Sequence, residues 1–315
     1  MALSIGVDVG GTKIAAGGVD EDGAVLATVR RDSPATSREA IFETIAAVAG
    51  ELAAQYDAPT IGVGAAGFTS SDRNTMVHGT NLDWTGARIA DEVGRRTGKR
   101  VVVENDANAA GIGEMTYGAA RGMKDFIMIT LGTGVGSGIV INGQMVYGHD
   151  GFAGELGHTI IRRENGRLCG CGRHGCLETY CSATGVARSA REFLAARTEP
   201  SLLRSIPAEN ITSKDVYDAA VKGDKLAQDI FEFTGTILGE ALADFIAFSS
   251  PEAIVLFGGL AKAGDYIFKP IQQAIDNNVL NIYKGKTKLL ASELKDSDAA
   301  VLGASALGWE LREVK

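Results

Sequence analysis

The sequence predicts an α/β protein made of two similar halves, and two observations lead to this fold class. The chain has 315 residues, which is about twice the length of a typical domain. An apolar strand, a glycine turn and a second apolar strand also occur twice, first at residues 3–19 and again at residues 126–141. When Gly10 and Gly132 are aligned, the two copies lie 122 positions apart. An internal repeat of this kind is typical of a duplicated fold.

Each half continues with a third strand after a turn, and helices fill the intervals. Turn signals at residues 20–23 and 142–143 follow the second strand of each copy and predict hairpins. Helical periodicity of apolar residues covers residues 39–54 and 227–248, and the second of these stretches stops ahead of Pro251. Apolar side chains at this spacing are core residues, so we assign them no chemistry.

The last part of the chain adds a strand and a helix. Residues 252–257 have the pattern of a buried strand that opens onto a third glycine turn, and residues 299–311 are expected to form a helix that crosses back onto the first half. We therefore predict an N-terminal α/β domain at residues 1–115, joined by the helix at residues 299–315, and a C-terminal α/β domain at residues 116–298.

The composition excludes the non-globular classes of protein. Because 45% of the residues are hydrophobic and only 22% are charged, the chain is not expected to be disordered. It has 41 glycines but only 6 prolines and no three-residue period, which excludes collagen and low-complexity linkers. An excess of glycine in a globular protein indicates backbone packed closely against another group, and phosphate is one candidate.

The charge and the hydropathy pattern exclude further classes. The net charge is −8 and the pI is about 5.2, without any block of Lys and Arg, so nucleic acid is not an expected partner. The first residues lack the basic and apolar regions of a secretory signal. The longest charge-free stretch, residues 126–148, is interrupted by glycines and polar residues and does not predict a membrane helix. We expect a cytoplasmic protein without a membrane partner.

The repeated glycine turns are candidate phosphate-binding loops. Glycines let backbone N–H groups approach phosphate oxygens, Thr12 adds a hydroxyl donor and Lys13 adds a positive charge. Asp8, at the end of the preceding strand, is suited to hold a hydrated Mg²⁺. A tight hairpin is the alternative for any single turn, and neither turn fits the P-loop or Rossmann pattern. Two matched turns and a third turn together predict a nucleotide site. Its predicted residues are Asp8, Gly10, Gly11, Thr12, Lys13, Gly132, Thr133, Gly134, Gly258 and Gly259.

All four cysteines lie in one short segment, residues 169–181. A disulfide framework would distribute its bridges through a small secreted protein, whereas this chain is long and has no other cysteine. Three thiolates at Cys169, Cys171 and Cys176 are enough to wrap a tetrahedral metal ion if one more ligand joins them. The candidates for the fourth ligand are Cys181, His174 and His158.

Five short segments carry motifs that together resemble the ROK family of bacterial sugar kinases, most of all the ROK glucokinases. They occur in order over nearly the whole chain, at residues 8–13, 104–109, 131–138, 155–158 and 169–178. The resemblance implies the actin-like, hexokinase-like ATPase fold, in which two ribonuclease-H-like α/β domains flank a cleft. The chain departs from many relatives at residues 64–67, Gly-Ala-Ala-Gly, where they carry a proline before the last glycine.

The resemblance implies a catalytic role for Asp106, which follows the apolar strand at residues 101–104. In phosphoryl transfer the protein has to accept one proton, that of the attacking hydroxyl group, and a carboxylate is suited to this task. Asp106 is expected to accept the proton of a sugar 6-hydroxyl, and Asn105 to bind a neighbouring hydroxyl. The alternative is that Asn105 or Asp106 caps the following helix. The other sugar contacts implied by the resemblance are Glu155, His158 and Glu178, with Asn81 as an addition.

Among the candidates for the fourth metal ligand, the resemblance selects His158. The implied ligands of a structural Zn²⁺ are His158, Cys169, Cys171 and Cys176, which leaves Cys181 as a buried thiol. Four protein ligands close the coordination sphere, so this zinc would not be a catalytic ion. If one nitrogen of His158 binds the metal and the other reaches a sugar hydroxyl, the zinc orients a substrate contact.

The function implied by the resemblance is transfer of phosphate from ATP, with Mg²⁺, to the 6-hydroxyl of a hexose, with glucose as the expected sugar. Family kinases for N-acetylglucosamine, N-acetylmannosamine, mannose or fructose share these motifs. The family also contains sugar-responsive repressors with an N-terminal helix-turn-helix. The first strand here begins at residue 3, which leaves no room for such a module, and the acidic pI argues the same way. The resemblance also favours a homodimer or homotetramer.

Overall fold

The computed structural model describes residues 3–34, 37–79, 82–295 and 298–313. Contacts within the chain divide it into two compact units, and each unit is discontinuous in sequence. Unit 1 comprises Met1–Lys124, Gly138–Gly154 and Ser292–Lys315, and unit 2 comprises Asp125–Ser137 and Glu155–Ala291. The domain boundaries expected from the sequence, at residues 115 and 298, stay a prediction.

Strands and helices alternate along most of the described chain. The strands are β1 (Ser4–Val9), β2 (Lys13–Val19), β3 (Val25–Asp32), β4 (Thr60–Ala65), β5 (Gly67–Thr69), β6 (Met76–Gly79), β7 (Arg100–Asn105), β8 (Phe126–Leu131), β9 (Val135–Ile141), β10 (Gln144–Met145), β11 (Ala253–Phe257) and β12 (Lys288–Ala291). The α-helices are α1 (Arg38–Gln55), α2 (Ile89–Thr97), α3 (Asp106–Tyr117), α4 (Glu178–Cys181), α5 (Ala183–Ala196), α6 (Ser213–Val221), α7 (Lys225–Ser249), α8 (Asp265–Asn278) and α9 (Ala299–Glu313).

The first sheet has the strand order β3-β2-β1-β4-β7 and belongs to unit 1. The strands β1, β2 and β3 pair antiparallel, whereas β4 pairs parallel to β1 and β7 pairs parallel to β4. Every residue of β4 is buried, which is the pattern of a strand covered on both faces. The parallel arrangement brings the carboxyl ends of β1, β4 and β7 to one edge of the sheet.

The second sheet repeats this order as β10-β9-β8-β11-β12. In this sheet β11 pairs parallel to both β8 and β12, and β10 pairs antiparallel to β9. The same sequence of hairpin strands followed by parallel strands therefore occurs in both sheets. The duplication predicted from the glycine turns is confirmed, and the repeated order is the one expected of a ribonuclease-H-like fold.

The predicted helices are confirmed with small changes at their ends. In α1, the side chain of Ser37 accepts a hydrogen bond from the N–H of Ala40 and caps the helix, and the predicted apolar residues are buried. The long predicted helix at residues 227–248 is α7, which packs along α8. Gly239 of α7 permits this contact, because a Cβ atom at this position would lie 2.4 Å from the carbonyl oxygen of Ile271. Within the described residues, no helix has the length and apolar composition needed to cross a membrane.

Helix α9 lies directly on β1 and β4 within unit 1. A Cβ atom at Gly6 would lie 2.1 Å from the carbonyl oxygen of Val301, and one at Gly62 would lie 1.8 Å from the carbonyl oxygen of Ala304. The hydroxyl of Ser4 also donates a hydrogen bond of 2.8 Å to the carbonyl oxygen of Ser305. The backbone of the helix therefore rests on the backbone of the strands at positions where only glycine fits.

Candidate active site

Several of the predicted site residues lie at the carboxyl ends of the parallel strands of unit 1. Asp8 lies near the end of β1, residues 64–67 run from the end of β4 to the start of β5, and Asn105 ends β7. The side-chain amide of Asn105 donates a 2.9 Å hydrogen bond to the carbonyl oxygen of Gly67, which joins the ends of two neighbouring strands. The sheet thus places these residues together because adjacent parallel strands end at the same edge.

Asn105 is the N-cap of α3. Its Oδ1 atom accepts hydrogen bonds from the N–H groups of Ala107 at 2.9 Å and Asn108 at 3.2 Å. The capping hypothesis is therefore confirmed for this residue. Its predicted contact with a sugar hydroxyl stays a prediction. Asp106 is the first residue of α3 and is exposed to solvent.

The carboxyl groups of Asp8 and Asp106 both hold protons more tightly than free carboxyls do. Burial, together with the negative charge of Asp106, raises the pKa of Asp8 to about 6. Water reaches Asp106, yet protein surrounds it on most sides, and this loss of hydration raises its pKa above the usual range. A carboxylate with a raised pKa is a better proton acceptor near neutral pH than an ordinary one.

The raised pKa of Asp8 predicts a pH-dependent folding cost. Between about pH 4 and pH 6 the folded protein holds this proton more tightly than the unfolded chain, so the free energy of unfolding falls as the pH rises through this window. Without nucleotide and Mg²⁺, we expect Asp8→Asn to be more stable than the wild type by about 1–2 kcal/mol at pH 8. The gain should disappear below about pH 4. Urea unfolding in chelator at both pH values measures it, and a gain that does not depend on pH would contradict the assignment.

The first glycine turn of unit 1 is an exposed loop held by several hydrogen bonds. The N–H of Gly10 donates a 2.9 Å hydrogen bond to the carbonyl oxygen of Lys13. Ser33, just after β3, makes two hydrogen bonds to this loop. Its hydroxyl donates to the carbonyl oxygen of Gly10 at 2.6 Å, and its N–H donates to the carbonyl oxygen of Thr12 at 2.9 Å. Gly11, Thr12 and Lys13 remain exposed, as a phosphate-binding loop requires.

The second glycine turn, in unit 2, is held by the start of α5 and by Glu178. The N–H of Ala183 donates to the carbonyl oxygen of Gly132 at 2.8 Å, and the hydroxyl of Thr184 donates to that of Thr133 at 2.9 Å. One carboxylate oxygen of Glu178 accepts the N–H of Val135 at 3.0 Å. A Cβ atom at Gly134 would lie 2.4 Å from the same oxygen, so a larger residue there would displace the carboxylate of Glu178.

The third glycine turn lies beside the second at the same edge of the sheet. The strands β8 and β11 are parallel neighbours, and Gly258 follows β11. A Cβ atom at Gly258 would lie 2.6 Å from the carbonyl oxygen of Leu131, the last residue of β8. Gly259 begins a short 3₁₀ helix, Gly259–Ala263, with open space around the position of a Cβ atom. Unit 2 therefore brings together the nucleotide residues that the sequence predicted within it.

Glu155 precedes a single 3₁₀ turn, Leu156–His158, in which His158 is the last residue. This turn packs against the start of β9. The N–H of Leu156 donates to the hydroxyl of Ser137 at 3.0 Å. A Cβ atom at Gly157 would lie 2.0 Å from the carbonyl oxygen of Val135, so the turn and the strand are in direct backbone contact. Glu155 is exposed, whereas His158 is half-buried.

The predicted metal ligands form one cluster in unit 2. The candidate ligand atoms of His158, Cys169, Cys171 and Cys176 all lie within 4.8 Å of one another. The Sγ atoms of Cys171 and Cys176 are 3.7 Å apart, and the Sγ atom of Cys169 lies 3.8 Å from Nδ1 of His158. Thiolates bound to one tetrahedral Zn²⁺ at about 2.3 Å are about 3.8 Å apart, so the donor set and the spacing both fit zinc.

The other candidates for the fourth ligand lie elsewhere. The Sγ atom of Cys181 is buried and contacts the carbonyl oxygen of Thr234 at 3.6 Å, as expected for a buried thiol. Nδ1 of His174 lies 3.0 Å from the carbonyl oxygen of Gly166 on the exposed side of the loop. Glu178 adjoins the cluster, because its second carboxylate oxygen lies 3.6 Å from the Sγ atom of Cys169.

Two structural features near these residues were not predicted from the sequence. Arg167 is buried under the cysteine loop, where its guanidinium stacks on the ring of Tyr180 at 4.3 Å and donates to the carbonyl oxygen of Thr179 at 2.8 Å. Glu104 is fully buried beside Asn105. Both side chains make most of their contacts with residues that are not adjacent in sequence, so no local sequence pattern indicates their roles.

Asn81 lies outside the described residues, and its predicted role stays a prediction.

Comparison with known proteins decides the family. The family model of the ROK family matches residues 4–310 of this chain. The chain belongs to the ROK family. Among relatives of this ROK protein, the glucokinase of Thermotoga maritima is 36% identical over 307 residues, which cover 96% of both chains. The family resemblance read from the motifs is therefore confirmed.

Solved structures of ROK proteins confirm the actin-like fold. The crystal structure of a ROK family glucokinase from Streptomyces griseus, in complex with glucose and AMPPNP, has a TM-score of 0.82 and 37% identity, covering 98% of this chain and 99% of that chain. A ROK family transcriptional regulator, a homologue of the E. coli MLC protein, has a TM-score of 0.88 and 27% identity, covering 98% of this chain and 78% of that chain. ROK kinases and ROK regulators thus share this architecture.

Proposed function

We propose that the protein is an ATP-dependent hexose kinase that phosphorylates the 6-hydroxyl of glucose. The observation that carries this proposal is the identity of 36–37% to proteins named glucokinase, which extends over nearly the full length of both chains. The positions of Asp8 and Asp106 at one edge of a sheet support it independently, because phosphoryl transfer needs acidic groups for a metal and a proton.

In the proposed reaction, the oxygen of the sugar 6-hydroxyl attacks the γ-phosphorus of ATP. The bond between this phosphorus and the β–γ bridging oxygen breaks, and ADP leaves as the phosphate ester forms. The hydroxyl proton passes to the carboxylate of Asp106, whose pKa is raised by the surrounding protein. Asn105 fixes the start of α3 beside this carboxylate and supplies a further contact to the sugar.

The proposed nucleotide contacts come from the glycine turns. Backbone N–H groups at Gly10, Gly11, Gly132 and Gly134 and the hydroxyls of Thr12 and Thr133 are suited to phosphate oxygens. Lys13 supplies positive charge, and Gly258 and Gly259 supply close backbone approach. Asp8 is the proposed holder of the hydrated Mg²⁺, which would neutralise charge on the phosphates when bound.

The proposed sugar contacts are Glu155, His158 and Glu178, with Asn81 as an addition. Each sugar hydroxyl removed from water needs a hydrogen-bonding partner, so several polar groups are required. Nδ1 of His158 faces the cysteine cluster, which leaves Nε2 for a hydroxyl group. We propose a structural Zn²⁺ on His158, Cys169, Cys171 and Cys176 that holds this ring in place.

The proposed zinc site predicts the zinc content of the protein and the effect of losing one ligand. The purified protein should contain one zinc per chain, and Cys176→Ser should lose most of it because the buried thiolate is removed from a closed site. The variant should also bind glucose more weakly, with KM raised by about 10-fold or more. Cys181→Ser is the control, since this thiol is buried outside the cluster. Elemental analysis and steady-state kinetics measure both effects. Equal zinc content in the two variants would refute the ligand set.

An assay of ADP release with a panel of hexoses tests the function. The panel comprises glucose, mannose, fructose, N-acetylglucosamine and N-acetylmannosamine, and phosphate on O6 is verified by NMR. The highest kcat/KM is expected for glucose. A higher value for another sugar would change the substrate but keep the kinase. Sugar binding without any ADP release would favour a regulatory protein, which the similarity to the ROK transcriptional regulator allows.

Two further properties accompany the proposed function. A kinase that uses ATP is expected in the cytoplasm, where its nucleotide is made and consumed. A homodimer or homotetramer is the proposed assembly, on the strength of the family resemblance. Light scattering of the purified protein measures the assembly directly.

A further inference from the structure

We propose that Glu104 is a positioning residue that holds Asn105 and Asp106 in their reactive arrangement. This inference rests on the proposed function, in which Asp106 accepts the hydroxyl proton. Glu104 is the penultimate residue of β7, it is fully buried, and it does not belong to the predicted sugar or nucleotide contacts.

One carboxylate oxygen of Glu104 ties the end of β7 to the first turn of α3. Its Oε1 atom accepts hydrogen bonds from the N–H of Asn105 at 2.8 Å, the side-chain amide of Asn108 at 3.2 Å and the hydroxyl of Thr69 at 3.2 Å. Asp106 lies between the two bonded positions, Asn105 in the strand and Asn108 in the helix. This oxygen therefore holds the backbone N–H just before Asp106 and a side chain of the helical turn just after it.

The other carboxylate oxygen of Glu104 faces a half-buried cation, the guanidinium of Arg73. Oε2 lies 3.3 Å from Nε of Arg73, whose Nη1 pairs with Glu310 of α9 at 2.8 Å. The guanidinium of Arg73 also lies 5.8 Å from the ring centre of Tyr147. Burial raises the pKa of Tyr147, and the negative charge of Glu104 raises it further, so the phenol stays a neutral donor beside the carboxylate. Segments from four parts of unit 1 therefore fix one carboxylate.

The free energy lost by burying the Glu104 carboxylate indicates that this residue does more than stabilise the fold. A buried ion pair loses hydration on folding, and apolar residues of similar size are often at least as stabilising. The carboxylate of Glu104 supplies a fixed hydrogen-bond acceptor for donors on both sides of Asp106. Catalytic geometry depends on such support, because displacing a reacting group by about 1 Å costs about 100-fold in rate.

Glu104→Gln tests the inference with little change in volume. Glutamine has a single acceptor oxygen, so either the Asn105 side or the Arg73 side faces an N–H₂ group instead of an oxygen. We expect kcat to fall by about 10- to 100-fold while KM for the hexose changes by less than about 3-fold. A crystal structure of the variant should show the backbone of residues 105–108 displaced.

Glu114→Gln is the matched control. Glu114 is another fully buried glutamate of unit 1, at the far end of α3, and it accepts the N–H of Ala119 at 2.7 Å and the hydroxyl of Ser292. This variant is expected to change the melting temperature with kcat unaltered. If Glu104→Gln does the same, Glu104 only stabilises the fold and the inference fails.

A second variant covers the case in which Glu104→Gln does not fold. Asn108→Ala removes the donor on the helix side while Glu104 keeps its charge and its contact with Arg73, and kcat should fall by about 3- to 10-fold. Unchanged kcat in this variant would overturn the inference. Failure of the proposed function is recognised separately, because the wild type would then show no ADP release with any hexose. Crystal structures of the wild type and Glu104→Gln would still report whether residues 105–108 move.

Discussion

Asp106→Asn is expected to lower kcat for hexose phosphorylation by about 1,000-fold, within the range that a general base contributes. Asparagine fills the same space but cannot accept the hydroxyl proton. Hexose binding should be nearly retained, because the contacts proposed for the sugar come mainly from other residues. Steady-state kinetics and isothermal titration with the sugar measure the two effects.

The Asp106 variant is not expected to lose activity through unfolding. The surrounding protein removes part of the hydration of this carboxyl and so raises its pKa, which means that its ionised form lowers the free energy of unfolding above the normal carboxyl pKa. A neutral side chain removes this cost, so the melting temperature should be equal or higher at pH 8. Asp57→Asn, an exposed loop change in the same unit, is the control and should leave kcat unaltered. A kcat of Asp106→Asn within 10-fold of the control would remove Asp106 from the mechanism.

Gly62→Ala should destabilise unit 1 by at least about 3 kcal/mol, the upper part of the range for overpacking a core. The new Cβ atom would lie 1.8 Å from the carbonyl oxygen of Ala304 and 2.9 Å from the Cβ atom of Leu307. The first of these atoms belongs to the helix backbone and cannot rotate away. Helix α9 would have to move off β4 by more than an ångström, which would also strain its contact with β1 at Gly6.

Gly64→Ala is the matched control for Gly62→Ala. Both glycines are in β4 on the same face, but the nearest atom to a Cβ at Gly64 is the Cβ of Ala109 at 3.7 Å, an ordinary contact distance. Its effect on the free energy of unfolding should stay below about 1 kcal/mol. Denaturant unfolding of both variants measures the difference. Equal stabilities would show that α9 does not rest on Gly62 as described.

The regular elements could be predicted because their signals are local. Apolar runs, a hairpin signal at Asn142 and Gly143, and helical periodicity in α1 and α7 are read within short windows of sequence. The cysteine cluster was also predictable, since three of its members lie within eight residues. The choice of His158 over His174 needed the family resemblance, and the structure places the two imidazoles in different surroundings.

Long-range packing could not be predicted from the sequence. The excess of glycine was attributed in part to phosphate loops, yet Gly6, Gly62 and Gly239 instead allow backbone to pack against backbone. Nothing local distinguishes such a glycine from one in a loop that binds a ligand. The partners of Glu104 show the same difficulty, since Arg73 and Tyr147 are distant in the chain and meet only after the sheet has formed.

The position of α9 also has a consequence for synthesis on the ribosome. The strands β1 and β4 leave the exit tunnel before α9, which is made about 230–290 residues after them. At roughly 5–20 residues per second, the apolar face of the nascent sheet stays without its cover for about 12–60 seconds. During that interval the emerging chain exposes apolar surface that chaperones bind, and slow codons between β4 and α9 would lengthen the exposure.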